Sequence, residues 1–102
     1  MTRHGIELDS EAVRAFCRKW KIKELSVFGS ILRDDFRADS DVDFLADYEE
    51  DAEWDLFDHM DMEEELAGII GRNADLIERS VVEKSENYIR RKYILSNAEA
   101  VI

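Results

Sequence analysis

The chain reads as a small α/β domain, a mixed sheet of about three strands with helices against it. Three observations carry that reading. The runs Leu25–Phe28, Asp41–Ala46 and Ala74–Glu78 have the length of short strands and a largely apolar make-up around the acids of the last two. Apolar residues at helical spacing precede the first run and separate the second from the third. At 102 residues the chain has the size of one domain, taken as 1–102, with room for a single modest core.

The first helix has Asp9 or Ser10 as its N-cap and Glu11 in its first turn. Val13, Phe16, Cys17 and Trp20 make one apolar face. On that face Cys17 reads as a small buried hydrophobe rather than a reactive thiol. Arg18, Lys19, Lys21 and Lys23 complement the helix dipole at its other end. His4 stands in a segment expected to fray.

The stretch Val27 to Phe44 holds the chemistry. Gly29-Ser30 follows the first strand, where free backbone N–H groups and a hydroxyl suit an anion. Ser30 also reads as an N-cap for a short helix, Ile31 to Asp34. Arg33 suits either phosphate or a surface ion pair with nearby acids. Asp41 and Asp43 stand two apart in an expected strand, so both side chains project to one side while Val42 and Phe44 face a core. Two carboxylates held side by side suit hydrated Mg²⁺, which takes few protein ligands.

Asp39, Asp41, Asp43, Asp47 and Glu50 also fall at the carboxylate positions of a twelve-residue calcium loop. That loop requires glycine at its sixth position, and Phe44 stands there. Phe44 belongs in a strand.

Gly29-Ser30, ten intervening residues and Asp41-x-Asp43 together resemble the signature of the DNA polymerase β-type nucleotidyltransferase superfamily, in its minimal nucleotidyltransferase (MNT) branch. The resemblance takes in Arg33, Ser40 and a later strand carrying Asp75, and runs roughly from Ala12 to Leu95. It departs from the family at Asp34, where a glycine usually follows the arginine.

The resemblance implies a polymerase β-type core and nucleotidyl transfer from ATP. Gly29, Ser30, Arg33 and Ser40 would hold nucleotide phosphate. Asp41, Asp43 and Asp75 would be catalytic and would ligate Mg²⁺, two ions in a two-metal scheme. Small proteins of this kind resemble antitoxins paired with HEPN-family toxins, which implies AMP transfer to a toxin tyrosine. Two other readings stay open: a non-catalytic module that neutralises its partner by stoichiometric contact, and a transferase for an aminoglycoside-like small molecule.

Asp75 is expected in a largely buried strand, where an ionised carboxylate is costly without a metal ion. The bland alternative pairs it with Arg72 or Arg79. Trp54, Leu56, Phe57, Met60, Leu66, Ile69 and Ile70 outline the apolar side of a long helix from about Asp55, closed by Gly71. Its other side is acidic, either solvated surface or a docking face for a basic partner. His59 reads as a surface histidine. The final helix, Glu86 to Leu95, is expected to turn Ile89, Tyr93 and Ile94 inward. Its cluster Arg90-Arg91-Lys92 either balances the acidic body or touches nucleotide or partner.

Composition limits the function classes. With 14 basic and 25 acidic residues the formal net charge is −11. That field repels nucleic-acid backbone and argues against an extended nucleic-acid surface. No apolar run approaches the roughly 20 residues of a membrane span. With no signal-like N-terminus and one cysteine, the expected setting is the cytoplasm.

Overall fold

The computed structural model describes residues 1–102. An antiparallel hairpin, β1 (Thr2–Arg3) and β2 (Ile6–Glu7), opens the chain. His4 and Gly5 both take positive φ, 51° and 78°, as a two-residue hairpin turn requires. The segment expected to fray is therefore folded. The His4 ring lies 4.7 Å from that of Phe36, and the terminal amine pairs with Asp9 at 2.6 Å.

The body comprises α1 (Glu11–Lys19), β3 (Ile22–Phe28), a 3₁₀ turn (Gly29–Leu32), β4 (Val42–Tyr48), α2 (Leu56–Ile70), β5 (Ala74–Glu78), α3 (Arg79–Glu83), α4 (Tyr88–Asn97) and β6 (Glu99–Ala100). The sheet has four strands in the order β5-β4-β3-β6. β4 runs antiparallel to β3 and parallel to β5, and β6 runs antiparallel to β3. The fourth strand is the one addition to the expected sheet. Its two residues come from the tail and carry no strand signal of their own.

Local chemistry explains the helix limits. Ser10 caps α1 by accepting from the Val13 N–H. Asp55 and Asp58 form a reciprocal capping box at the start of α2. Gly71, at φ 74°, ends α2 in the left-handed conformation.

The sheet is covered on both faces. On one face α1 and α2 pack Phe16, Met62 and Leu66 against Leu25, Val27, Val42, Phe44 and Ala46. On the other, Val82 and Ile94 from α3 and α4 pack on Phe28 and Leu45. Alternation along β4 therefore places Asp43 on the α3–α4 face with Leu45, while Asp41, expected in the strand, lies one residue before it because pairing begins at Val42. Cys17 is buried, as expected, and burial pushes its thiol up to about 11.

Two helical faces differ from expectation. In α2 the buried pair is Met62 and Leu66, one turn apart, while Leu56 and Phe57 stay 70% and 75% exposed. Those two occupy the first turn, ahead of the buried pair, and Met60 is rotated about 200° from Met62. In α4 only Ile94 is buried, and Ile89 is 80% exposed. Ile89 and Tyr93 share a face at i, i+4, and Ile94 is turned away from it by about 100°. One side of α4 meets the sheet, so the three residues cannot all point inward.

Candidate active site

The site lies where β3 ends and β4 and β5 begin. β3 leads into Gly29 at φ 78°, and Phe28 is paired in register with Asp43. A Cβ on Gly29 would stand 2.6 Å from Oδ2 of Asp43. Only glycine permits both this backbone conformation and this approach. The chain then makes the 3₁₀ turn Gly29–Leu32 rather than a helix capped by Ser30. Phe28 is the N-cap residue, and the Arg33 N–H donates to the Ser30 carbonyl at 2.9 Å.

β4 and β5 place Asp43 and Asp75 directly opposite each other in the parallel ladder. Asp75 is exposed, not buried as expected. β5 is an edge strand, and Ala74 and Leu76 take its core-facing positions. Neither bland partner is used. Arg72 donates to the carbonyls of Arg37 and Ser40, and Arg79 faces Glu24 and Glu83.

Burial, then the charges of Asp75 and Asp41, hold the Asp43 carboxyl above the ordinary carboxylate range, against an opposing pull from Arg33. Asp75 is also raised. Partial desolvation leads, although the residue as a whole is exposed, followed by the charges of Asp41 and Glu63. Their mutual interaction favours a proton on Asp43 and charge on Asp75. Asp41 sits exposed at the residue preceding β4. No three His, Cys, Asp or Glu side chains converge on a single ion position. The close donor pair is thus Asp43 and Asp75, with Asp41 adding negative charge at the mouth.

Arg33 lies beside this group. Its Nε donates to Asp35 Oδ1 at 3.2 Å, and Nη1 donates to the Tyr93 hydroxyl at 3.2 Å. Ser40 is half-buried, and its Oγ accepts from the Arg37 N–H at 3.0 Å, closing the loop before β4. Glu63 reaches across from α2, and its Oε2 accepts from the Leu76 N–H at 2.7 Å, occupying the open edge of β5. Asp35, Glu63 and Tyr93 were not foreseen as neighbours of the site. The last two come from helices whose contacts no local motif reports. The calcium-loop pattern is dissolved by β4, which holds most of it in extended strand.

A mixed sheet with a Gly-Ser turn set against aspartates at the ends of adjacent strands defines a polymerase β-type nucleotidyltransferase of the minimal kind. The chain belongs to the nucleotidyltransferase domain family, which residues 9–99 match. It is 37% identical over 62 residues to protein adenylyltransferase MntA of Thermococcus cleftensis, covering 61% of each chain. It thus spans less than two thirds of that relative. Among solved structures it is similar to a chain provisionally named a minimal nucleotidyltransferase, with 30% identity, a TM-score of 0.64 and coverage of 87% of this chain and 85% of that one. It also shares its fold with a structure of a tri-AMPylated Shewanella oneidensis HEPN toxin in complex with MNT antitoxin, at TM-score 0.62 and 14% identity, covering 93% and 70% of the two chains. No helix is long and apolar enough to cross a membrane.

Proposed function

We propose that the chain transfers AMP from ATP to a tyrosine hydroxyl of a HEPN-type toxin and thereby acts as its antitoxin. The observation that carries this reading is the Asp43–Asp75 register pair facing the Gly29–Ser30 turn. The relative named a protein adenylyltransferase and the fold shared with an MNT antitoxin on an AMPylated toxin support it.

The donor set fits a hard divalent cation. Burial and neighbouring carboxylates hold both Asp43 and Asp75 above the ordinary carboxylate range, and a cation bound at the pair would offset both effects. Asp43 and Asp75 would hold Mg²⁺, with Asp41 adding negative charge at the mouth. When bound, it would supply charge neutralisation at the phosphates and a lowered pKa for the attacking hydroxyl.

The chain's own groups do the rest. Gly29, Ser30 and Arg33 bind the triphosphate at the turn, with the Arg33 guanidinium as a planar donor. Ser40 closes the loop leading into β4 by accepting from the Arg37 N–H, which leaves its own hydroxyl hydrogen free to turn to phosphate. Asp75, exposed at the strand mouth and made more basic by partial burial and the charges of Asp41 and Glu63, accepts the proton of the incoming hydroxyl. The hydroxyl oxygen bonds to the α-phosphorus as the bond to pyrophosphate breaks.

Co-expression with the product of the adjacent gene, followed by intact mass of both chains, tests this. Adenylyl groups on the partner, absent with Asp41→Ala/Asp43→Ala, are the expected result. A stable complex with an unmodified partner would overturn it and favour neutralisation by contact alone.

A further inference from the structure

We propose that Tyr93 is a positioning residue for nucleotide, setting the Arg33 guanidinium for phosphate so that α4 forms one wall of the nucleotide site. The inference rests on the reading above, in which Gly29, Ser30 and Arg33 take the triphosphate.

Arg33 follows directly after the 3₁₀ turn, and its side chain is 54% exposed. A free arginine there would sample many rotamers, and binding would have to freeze them. Two contacts already restrict it. Asp35 accepts from Nε, and the Tyr93 hydroxyl, sixty residues on, accepts from Nη1. The Asp35 contact is local, from a neighbour two residues away in the same exposed loop. The Tyr93 contact is different, because α4 is fixed to the sheet through Ile94. It ties the guanidinium to the body of the domain.

The geometry leaves the arginine able to work. A guanidinium has five N–H donors, and these contacts use two. Both hydrogens on Nη2 and one on Nη1 stay available for a two-point grip on phosphate. A phenol accepts without neutralising the cation, and its own hydrogen can turn to a second phosphate oxygen. The guanidinium is close enough for its charge to act on Asp43, so a phosphate on Arg33 would border the acidic pair. A tyrosine whose only role was to fasten α4 would have no reason to engage the group facing the site.

Isothermal titration with Mg–AMP-PNP tests this without any acceptor, using the full chain and the Tyr93→Phe, Arg33→Ala and double variants. Tyr93→Phe keeps the ring and loses the hydroxyl. Its affinity is expected to fall about three- to tenfold, with the melting temperature of the nucleotide-free protein unchanged. The double variant is expected to bind no more weakly than Arg33→Ala alone, since Tyr93 acts through Arg33. Wild-type affinity in Tyr93→Phe, or effects that simply add, would overturn the inference and leave the proposed function standing. Failure of the unaltered chain to bind Mg–AMP-PNP would overturn both.

Discussion

Gly29 and Asp43 are in contact at the junction of β3 and β4, with the glycine's missing Cβ leaving the space occupied by the Asp43 carboxylate. The Gly29-Ser30 turn and the acidic strand are thus one packed unit, although twelve residues lie between Ser30 and Asp43 along the chain. Any side chain at position 29 would push Asp43 away from its partner on β5.

Gly29→Ala therefore carries two penalties. Its positive φ is expected to cost about 1–2 kcal/mol of stability, measurable by denaturant unfolding. The displaced Asp43 carboxylate is expected to lower AMP transfer beyond what that loss accounts for. Transfer rates measured where the variant remains fully folded separate the two effects.

Asp43→Asn is expected to stabilise the metal-free protein at neutral pH. The Asp43 carboxyl is raised in the folded chain, so the native state holds its proton more tightly than the unfolded state. That contribution is complete below the ordinary carboxylate value and is lost as pH rises through the raised one. The neutral amide escapes the loss. The variant's melting temperature should exceed the parent's by a few degrees at about pH 7, and the gap should close toward about pH 4. Added Mg²⁺ should reverse the order by stabilising only the parent.

Glu63 is expected to matter more than a surface acid would. Its carboxylate takes the Leu76 N–H on the open edge of β5 and lies near the His59 ring, 3.7 Å from Nε2. Glu63→Ala should cost about 1–3 kcal/mol, because a charge-assisted bond in a partly buried place is lost. Glu63→Gln keeps an acceptor and should cost less. Urea unfolding of the three chains side by side checks the order.

Much of the fold was legible because its signals are local. Ser10, Asp55 and Gly71 act on backbone groups within four residues, and the strand runs are short and apolar enough to read directly. The motif was legible for a similar reason. Alternation along β4 follows from strand geometry, so Asp43 had to turn away from the core face of Val42 and Phe44, although Asp41 falls just outside the strand. The direction in which α2 and α4 turn their apolar residues was not legible. Leu56, Phe57, Ile89 and Tyr93 have the composition of core residues, and only the extent of the sheet decides which faces are covered.

The sequence by itself determined the class of fold, the break in the chain at Gly29-Ser30 and the strand that carries Asp43, because each depends on backbone preferences over a few residues. The tertiary structure alone decided the rest. It set Asp75 opposite Asp43 through strand register, left Asp75 exposed on an edge strand and brought Tyr93 to Arg33. These are contacts between segments far apart in the chain. They follow from how layers pack around a shared core, which no short stretch of sequence encodes.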